Sequence, residues 1–344
     1  MPALAEVDAG TRLLARVRAG RPGQPGQPGQ PGQPSNGLEP LSQPFPGHPG
    51  VWLWTGEEGG PLVVKHAGQE DREAREMLRR EAGALTALAP TGVVPELRLT
   101  FAEEGELAGF AIPFIASSPA LSLASPLAIS AFAAALAAFH AHSWRLPHPP
   151  FGLEVALALG GHTLWIGGAE ILSGMCDALR GGPCDGIARQ AREALELLAT
   201  VRPAMAERFA PEDMVLAHGD VAGGNLVFHC DGPILSCLLI DLGEVVVAPP
   251  QYDLARYAVG ARLSAEGEDL LLSVYGGHWR RLTRSPLTAE FRAGFEILKP
   301  FAVFDTQVAP YVIYAASGIP VAPAEAEDRT VRGLAAIRSA LAAE

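Results

Sequence analysis

The chain has 344 residues, of which 48% are hydrophobic and 19% are charged, a balance typical of globular rather than disordered proteins. This length exceeds what one hydrophobic core usually serves, so we expect two lobes or domains. The formal net charge of -12 argues against nucleic-acid binding as the main task, because proteins that bind a phosphate backbone normally carry a basic face. We therefore expect no nucleic-acid partner.

The amino-terminal region combines a charged start with a short repeat. The first twenty residues carry several charges and no long apolar segment, which is atypical of a signal peptide and predicts a cytoplasmic protein. Residues 21–37 form a low-complexity segment in which Pro-Gly-Gln repeats from Pro22 to Gln33. Read in another frame the repeat has the glycine period of collagen, but it is far too short for a triple helix, so we interpret it as an extended, mobile insert. We expect the first strand just before it, in LLARVRAG at 13–20.

Past the repeat, the sequence predicts a β-hairpin followed by a helix. Two short apolar strands, Val51–Trp54 and Leu62–Val64, flank a glycine-bearing turn, and Lys65 closes the second strand. Residues 70–89 predict an amphipathic helix with an acidic first turn, and helical periodicity places Glu81 within its apolar stripe. A buried carboxylate is costly unless it is paired, so we predict an inward Lys65–Glu81 pair. The alternative is that both side chains reach water at the edges of their elements.

The longest uncharged stretch runs from Leu107 to Trp144. Prolines interrupt it, and its helical part, LAISAFAAALAAFHA, is rich in alanine and shorter than the ~20 residues that a membrane span needs. We therefore expect a buried helix and no membrane partner. The four cysteines form no CxxC pair and have no zinc-ligand spacing, so we expect reduced thiols.

The stretch HGDVAGGN, His218–Asn225, places Asp220 and Asn225 five positions apart in a tight loop. Its glycines alone would equally suit a surface turn. Asp241, however, follows the apolar run ILSCLLI, which predicts a buried strand. Oxygen ligands such as Asn225 and Asp241 suit Mg²⁺, which retains water and substrate phosphates in its shell, and Asp220 would remain free to meet an alcohol. With Lys65 upstream, these are the parts that phosphoryl transfer requires.

The motifs HGDVAGGN, IDLGE and YDLA, in this order, resemble the aminoglycoside phosphotransferase family of the kinase-like superfamily. The resemblance runs from about Trp52 to Ala255 and includes VVPEL, IPFIAS and the helix end LAAFHAH. It implies an α+β, bilobal, protein-kinase-like fold. The amino-terminal lobe, 1–116, would hold a small antiparallel sheet, and residues 117–344 would form a larger, mainly helical lobe that carries catalysis and substrate binding.

The resemblance also implies an activity, the ATP- and Mg²⁺-dependent phosphorylation of a hydroxyl group on a small molecule. Lys65, oriented by Glu81, would hold the α- and β-phosphates of ATP. Asn225 and Asp241 would bind Mg²⁺. Asp220 would orient the acceptor hydroxyl and accept its proton as the new bond forms.

Further roles follow from the same resemblance. Backbone groups of Phe114, Ile115 and Ala116 would meet the adenine. His218 is expected to fix the catalytic loop and Asp253 to brace it. Glu244 has two open interpretations, as a neighbour of the metal ligands or as a solvated turn residue.

The sequence departs from the family pattern at two places. Ala248–Pro250 stands where Gly-Asp-Pro is common, and Val221–Gly223 stands where Leu-His-Pro is common. Gly219 occupies the place of the arginine that protein kinases carry before their catalytic aspartate, which favours a small-molecule acceptor. The alternative function is a kinase-fold protein that binds nucleotide or a partner without turnover. The sequence does not identify the acceptor or the oligomeric state.

Overall fold

The computed structural model describes residues 38–42, 48–55, 60–117, 121–144, 168–209, 213–231 and 234–342. The Pro-Gly-Gln repeat and the strand expected at 13–20 lie outside the described residues. The chain divides into two compact units. One contains residues up to Ser117 together with Ile240–Gly243, and the other contains Ser118–Leu239 and Glu244–Glu344.

The amino-terminal unit is built on a five-stranded antiparallel sheet with the strand order β1-β2-β3-β5-β4. Its strands are β1 (Leu38–Ser42), β2 (Gly50–Trp54), β3 (Leu62–His66), β4 (Leu99–Glu103) and β5 (Glu106–Pro113). Small and aromatic residues from four strands form its core, among them Trp52, Val64 and Phe101. The predicted hairpin is therefore present, and its second strand continues past Lys65 to His66.

One strand of this sheet, Leu38–Ser42, was not expected from the sequence. Strand β2 pairs with β1 on one side and with β3 on the other, so the neighbour of Val51–Trp54 is Leu38–Ser42. The repeat, Pro22 to Gln33, lies before this strand in the sequence. The sequence pattern did not predict this strand because it contains Pro40, and proline within a sheet is normally confined to edge strands and bulges. The structure places β1 at the edge of the sheet, with an irregular register between Pro40 and Ser42.

The helix predicted at 70–89 is α1 (Arg72–Leu88). The Asp71 side chain accepts a hydrogen bond from the Ala74 backbone N–H and caps its amino terminus. Leu78 and Leu85 are fully buried, as the apolar stripe predicts, and Glu81 is buried with them at 1% exposure. The helix thus carries a carboxylate into the interior of the amino-terminal unit.

In its described residues, the carboxy-terminal unit is mainly helical and contains two short two-stranded sheets. The helices are α2 (Pro126–Trp144), α3 (Gly168–Ala178), α4 (Asp185–Arg208), α5 (Gln251–Ala261), α6 (Ala265–Thr283), α7 (Phe291–Val303), α8 (Ala309–Ala316) and α9 (Pro323–Ala342). A π-helical turn, Phe304–Val308, joins α7 to α8. The sheets pair β6 (Val215–Ala217) with β9 (Val246–Ala248), and β7 (Leu226–Asp231) with β8 (Ile234–Leu239).

Helix α2 is the core helix of this unit and packs against α6 and β8. By length and composition alone it is the one described helix that could cross a membrane. However, 61% of its most apolar 18-residue segment is buried inside the protein. Most of its alanine, leucine and phenylalanine side chains, including Phe132 and Phe139, are buried, whereas Leu127 in its first turn is 66% exposed. This burial agrees with the expectation of an interior helix. The loop His218–Asn225 leaves β6 of the same unit and enters β7.

Candidate active site

Three charged side chains meet in the amino-terminal unit. Lys65 Nζ lies 2.8 Å from both carboxylate oxygens of Glu81 and 2.5 Å from Oδ1 of Asp241. Strand β3 supplies the lysine and α1 supplies the glutamate, so the inward pair expected from helix periodicity is present. Lys65 is 7% exposed and Glu81 is 1% exposed, which makes the pair a buried one. We call Lys65, Glu81 and Asp241 the lysine cluster.

Asp241 reaches the lysine cluster with a backbone conformation that residues other than glycine rarely adopt. Its φ is 63°, in the left-handed region, where such residues are often held by the surrounding structure at functional sites. The next backbone N–H, from Leu242, donates to Glu81 Oε1 at 3.3 Å, and Arg80 donates to the Gly243 carbonyl at 3.0 Å. Helix α1 therefore fixes the turn that carries Asp241.

The electrostatics of the lysine cluster keep its cation charged. Burial by itself would lower the pKa of Lys65, but the charges of Glu81 and Asp241 outweigh this effect and place the pKa above its ordinary value. Burial also raises the pKa of Glu81, and the neighbouring ammonium works against that rise. The Asp241 side chain remains 51% exposed, so its carboxylate has room for a further ligand.

A second group of polar residues lies in the carboxy-terminal unit and shapes the His218–Asn225 loop. The buried carboxylate of Asp253, on α5, accepts hydrogen bonds from the backbone N–H of His218 at 2.7 Å and of Gly219 at 3.1 Å. His140 Nε2, on α2, lies 3.0 Å from the same carboxylate. The ring of His218 accepts from the Asp220 backbone N–H at 3.2 Å. Asp253 and His218 thus brace the loop, as expected.

This buried carboxylate is held ionised by its hydrogen bonds. Burial by itself would raise the pKa of Asp253, but the contacts with His140 and His218 outweigh it, and the pKa lies below its ordinary value. An ionised acceptor forms stronger bonds to backbone N–H groups than a neutral one does. The loop is therefore anchored by charge-assisted hydrogen bonds.

Gly219 is required by the backbone at this point of the loop. Its φ is 83°, and a Cβ atom there would lie 2.0 Å from the Glu244 carbonyl oxygen. The long side chain that protein kinases carry at this position would not fit. This close approach also places the backbone of Glu244 directly against the loop.

Asp220 projects from the braced loop with both carboxylate oxygens hydrogen-bonded. Asn225 Nδ2 donates to Asp220 Oδ2 at 2.8 Å and to the Asp220 carbonyl at 2.9 Å. Arg256 Nη2 lies 2.8 Å from Asp220 Oδ1. The Asp220 side chain is 36% exposed, whereas that of Arg256 is 9% exposed. The structure thus brings Asp220 and Asn225 together, with the amide oxygen of Asn225 as the atom suited to a cation.

The sequence motifs did not indicate Arg256 or its second partner, Asp305. Arg256 comes directly after the YDLA motif. Most of its helix, QYDLARYAVGA, is buried, so a charged side chain there indicates a partner of opposite charge. Asp305 lies on the π-helical turn, where local sequence gives no sign of a contact with α5. Only the first of the two could have been found from the sequence.

The adenine-binding segment expected at 114–116 directly follows β5. The backbone N–H of Phe114 donates to the Pro61 carbonyl at 2.8 Å, so this N–H is engaged within the sheet. The Phe114 side chain is 41% exposed. The Phe114 N–H is therefore already engaged, and adenine binding by residues 114–116 stays a prediction.

Asp241 and Asn225 are the two residues expected from the sequence to bind Mg²⁺, and each has donor atoms of its own. Within the described ranges, no group of three or more His, Cys, Asp or Glu side chains could hold a metal unaided. Mg²⁺ usually takes one or two carboxylates together with phosphates and water, so such a group is not required. The half-exposed Asp241 and the amide oxygen of Asn225 are donors of the hard type that Mg²⁺ prefers.

The sequence profile of the phosphotransferase enzyme family matches residues 47–286, more than half of the chain. The chain belongs to this family. The matched range contains every element of the lysine cluster and of the braced loop, so the resemblance inferred from the motifs is confirmed. No protein of curated function is detectably similar in sequence.

Solved structures confirm the kinase-like fold of this phosphotransferase family member. Choline kinase from Cryptosporidium parvum Iowa II superposes with a TM-score of 0.63 at 11% identity, covering 88% of this chain and 89% of that one. An amicoumacin kinase, in complex with AMP-PNP, Ca²⁺ and amicoumacin, gives 0.64 at 12% identity and covers 89% of each chain. Macrolide 2'-phosphotransferase from Brachybacterium faecium gives 0.52 at 19% identity, covering 85% and 90%.

Proposed function

We propose that the protein transfers the γ-phosphoryl group of ATP to a hydroxyl group of a small molecule, in a reaction that depends on Mg²⁺. The lysine cluster carries the proposal. A buried lysine held between two carboxylates, in a member of the phosphotransferase enzyme family, is the arrangement that orients nucleotide phosphates in kinases.

The residues of the amino-terminal unit would bind the nucleotide. Lys65 is protonated and oriented by Glu81, so its ammonium presents a fixed positive charge to the α- and β-phosphates. Because Asp241 already contacts this ammonium, phosphate binding would weaken one lysine–carboxylate contact while it satisfies the same charge. The segment at Phe114, Ile115 and Ala116 would meet the adenine through its remaining backbone groups.

The residues of the braced loop would act on the acceptor. Asp220 is the partly exposed carboxylate of the loop and would accept a hydrogen bond from the acceptor hydroxyl, orient it, and take its proton as the oxygen–phosphorus bond forms. The Asn225 side chain donates a hydrogen bond to one carboxylate oxygen of Asp220. In a loose phosphoryl-transfer transition state, such orientation contributes more than early proton removal.

A divalent cation would complete the site. Asn225 and Asp241 would hold Mg²⁺, which when bound neutralises charge on the transferred phosphoryl group. The amicoumacin kinase complex with AMP-PNP and Ca²⁺ supports the pairing of nucleotide and divalent cation in this fold.

The acceptor is proposed to be a hydroxylated small molecule. The fold neighbours include kinases named for choline, amicoumacin and a macrolide. Gly219 also excludes the arginine of protein kinases, because a side chain there would clash with the Glu244 carbonyl. We propose that the enzyme works in the cytoplasm without a nucleic-acid or membrane partner.

A screen for ATP consumption tests the proposal. Wild-type protein, Mg-ATP and a panel of choline, ethanolamine, a fructosamine, a macrolide and an aminoglycoside would be assayed for ADP release, with EDTA as the metal control. The matched control variant is Asp269→Asn, because Asp269 is an exposed carboxylate paired with Arg292 on the surface. We expect acceptor-dependent ADP release that Asp220→Asn lowers by about 10²- to 10⁴-fold and that Asp269→Asn retains. Nucleotide binding without ADP release, with this panel and a wider one of alcohols, would instead establish the alternative of binding without turnover.

A further inference from the structure

Arg256 connects the candidate catalytic aspartate to a second buried carboxylate. Its Nη2 lies 2.8 Å from Asp220 Oδ1, and its Nη1 lies 3.1 Å from Asp305 Oδ2. Nη1 also donates to the Tyr252 hydroxyl at 3.1 Å. The two ends of one planar guanidinium are thus bound to carboxylates from different parts of the carboxy-terminal unit.

The buried carboxylate of Asp305 holds Arg256 in place. It lies on the π-helical turn Phe304–Val308, and its side chain is 2% exposed. The Tyr252 hydroxyl donates to the same oxygen, Oδ2, at 3.1 Å. Single π-helical turns within helices are frequent at functional sites. Here the turn carries the carboxylate that contacts Arg256.

The orientation of the Asp220 carboxylate is consequently set by two donors. Arg256 holds Oδ1 from α5, and Asn225 holds Oδ2 from the loop itself. A carboxylate bound at both oxygens has little freedom to rotate. Among the contacts described for Asp220, the one with Arg256 is the one that ties its side chain to a rigid, buried helix.

The charge of Arg256 is permanent in this environment. Burial by itself would lower the pKa of the guanidinium, but Tyr252, Asp305 and Asp220 outweigh that effect and place it above its ordinary value. The group therefore acts as a fixed cation that cannot donate a proton in the reaction.

We propose that Arg256, anchored by Asp305, is a positioning residue that holds the Asp220 carboxylate in the orientation needed to receive the acceptor hydroxyl. The inference rests on the proposed phosphotransferase function. Arg256 acts through Asp220 and touches neither nucleotide nor acceptor in this scheme. Lysine at the same position would keep the charge but could not bridge both carboxylates with a planar fork.

A double-mutant cycle between positions 256 and 220 tests this proposal. Wild type, Arg256→Met, Asp220→Asn and the double variant would be assayed for ADP release with the panel member that gives the fastest wild-type turnover. We expect Arg256→Met to lower kcat by roughly 10- to 100-fold, the loss that a small misplacement of a catalytic group produces, while KM for ATP changes by less than about twofold. In the Asp220→Asn background, Arg256→Met should change kcat by less than about twofold, because the carboxylate that it positions is gone.

Two further variants separate positioning from folding. Arg256→Lys should recover part of the lost kcat, whereas Asp305→Asn should lower kcat and have little added effect in the Arg256→Met background. Lys299→Met is the matched control, because Lys299 forms ion pairs with Glu268 and Glu296 in the same unit. It should leave kcat unchanged. The concentration of folded protein is set equal by binding of a fluorescent ATP analogue.

The outcomes distinguish this inference from the proposed function. If wild type turns over but the effects of Arg256→Met and Asp220→Asn simply multiply, or if Arg256→Met retains wild-type kcat, Arg256 does not position Asp220 and only this inference fails. A wild-type protein that releases no ADP with any acceptor overturns the proposed function itself, and the inference with it.

Discussion

Replacing Lys65 by methionine leaves two carboxylates next to each other, one of them buried. Glu81 is 1% exposed and would lose the cation that lies 2.8 Å from both of its oxygens. Removing one partner of a buried ion pair costs about 3–5 kcal/mol, because the remaining charge is uncompensated. We therefore expect Lys65→Met to lower the free energy of unfolding of the amino-terminal unit by that amount.

The reciprocal change should cost less. In Glu81→Gln, Lys65 keeps its 2.5 Å contact with Asp241, so the buried cation stays paired. We expect a loss of about 1.5–3 kcal/mol, the contribution of a hydrogen bond to a charged group. The double variant, Lys65→Met with Glu81→Gln, leaves no buried charge at the pair. Its loss should therefore fall short of the sum of the single losses by about 1–3 kcal/mol.

Urea unfolding followed by circular dichroism, with hydrogen exchange measured on peptides from β3 and α1, would give these free energies. Both single variants should also weaken productive use of ATP, since the two residues act as one unit. Lys299→Met serves as the control, because its partly exposed ion pairs should contribute about 1 kcal/mol or less. Strict additivity of the two substitutions, or a loss below about 1 kcal/mol for Lys65→Met, would refute the reasoning.

Four further predictions concern the loop and the repeat. Asp220→Ala should lower turnover by about 10²- to 10⁴-fold and leave ATP binding nearly unchanged, and turnover within a few-fold of wild type would remove Asp220 from the mechanism. Because the folded-state pKa of Asp253 is depressed, its contribution to stability is full above the ordinary value of about 3.9 and is lost as pH falls through the folded value. The stability difference between wild type and Asp253→Asn, measured by urea unfolding, should therefore shrink in acid, and a constant difference would contradict this role. Gly219→Ala should impair both stability and turnover because its Cβ would meet the Glu244 carbonyl, and wild-type behaviour in thermal unfolding and kinetics would show that the loop adapts. Deleting the triplets of 21–37 should shift stability by roughly 1 kcal/mol or less, by the weak dependence of chain entropy on length. Since β1 follows the repeat in sequence, KM for ATP should stay within about twofold, and a larger change would link the repeat to the nucleotide.

The parts of the site that the sequence predicted are those governed by local periodicity and by the cost of burying charge. Glu81 falls in the apolar stripe of α1, and a carboxylate there needs a cation, which the preceding strand supplies at Lys65. The same reasoning placed Asp220 and Asn225 in one tight loop. Spacing alone was sufficient in these cases, because the residues lie on one element or on neighbouring ones.

Contacts between distant segments could not be predicted in this way. Asp241 contacts Lys65 across 176 positions of sequence, because the turn after β8 returns to the amino-terminal unit. Arg256 contacts Asp305, which lies on a π-helical turn that no sequence pattern predicts. Strand β1 was missed because Pro40 suits a loop as well as an edge strand.

The most direct measurement of the proposed chemistry is phosphorus NMR of the acceptor after incubation with Mg-ATP. Wild-type protein should produce a phosphomonoester resonance whose intensity grows as that of the ATP γ-phosphate declines. Asp220→Asn should bind a fluorescent ATP analogue as tightly as wild type does and produce this resonance at least about 100-fold more slowly. Phosphomonoester formation at the wild-type rate by Asp220→Asn, or release of inorganic phosphate as the sole product of the wild type, would contradict transfer to a hydroxyl group oriented by Asp220.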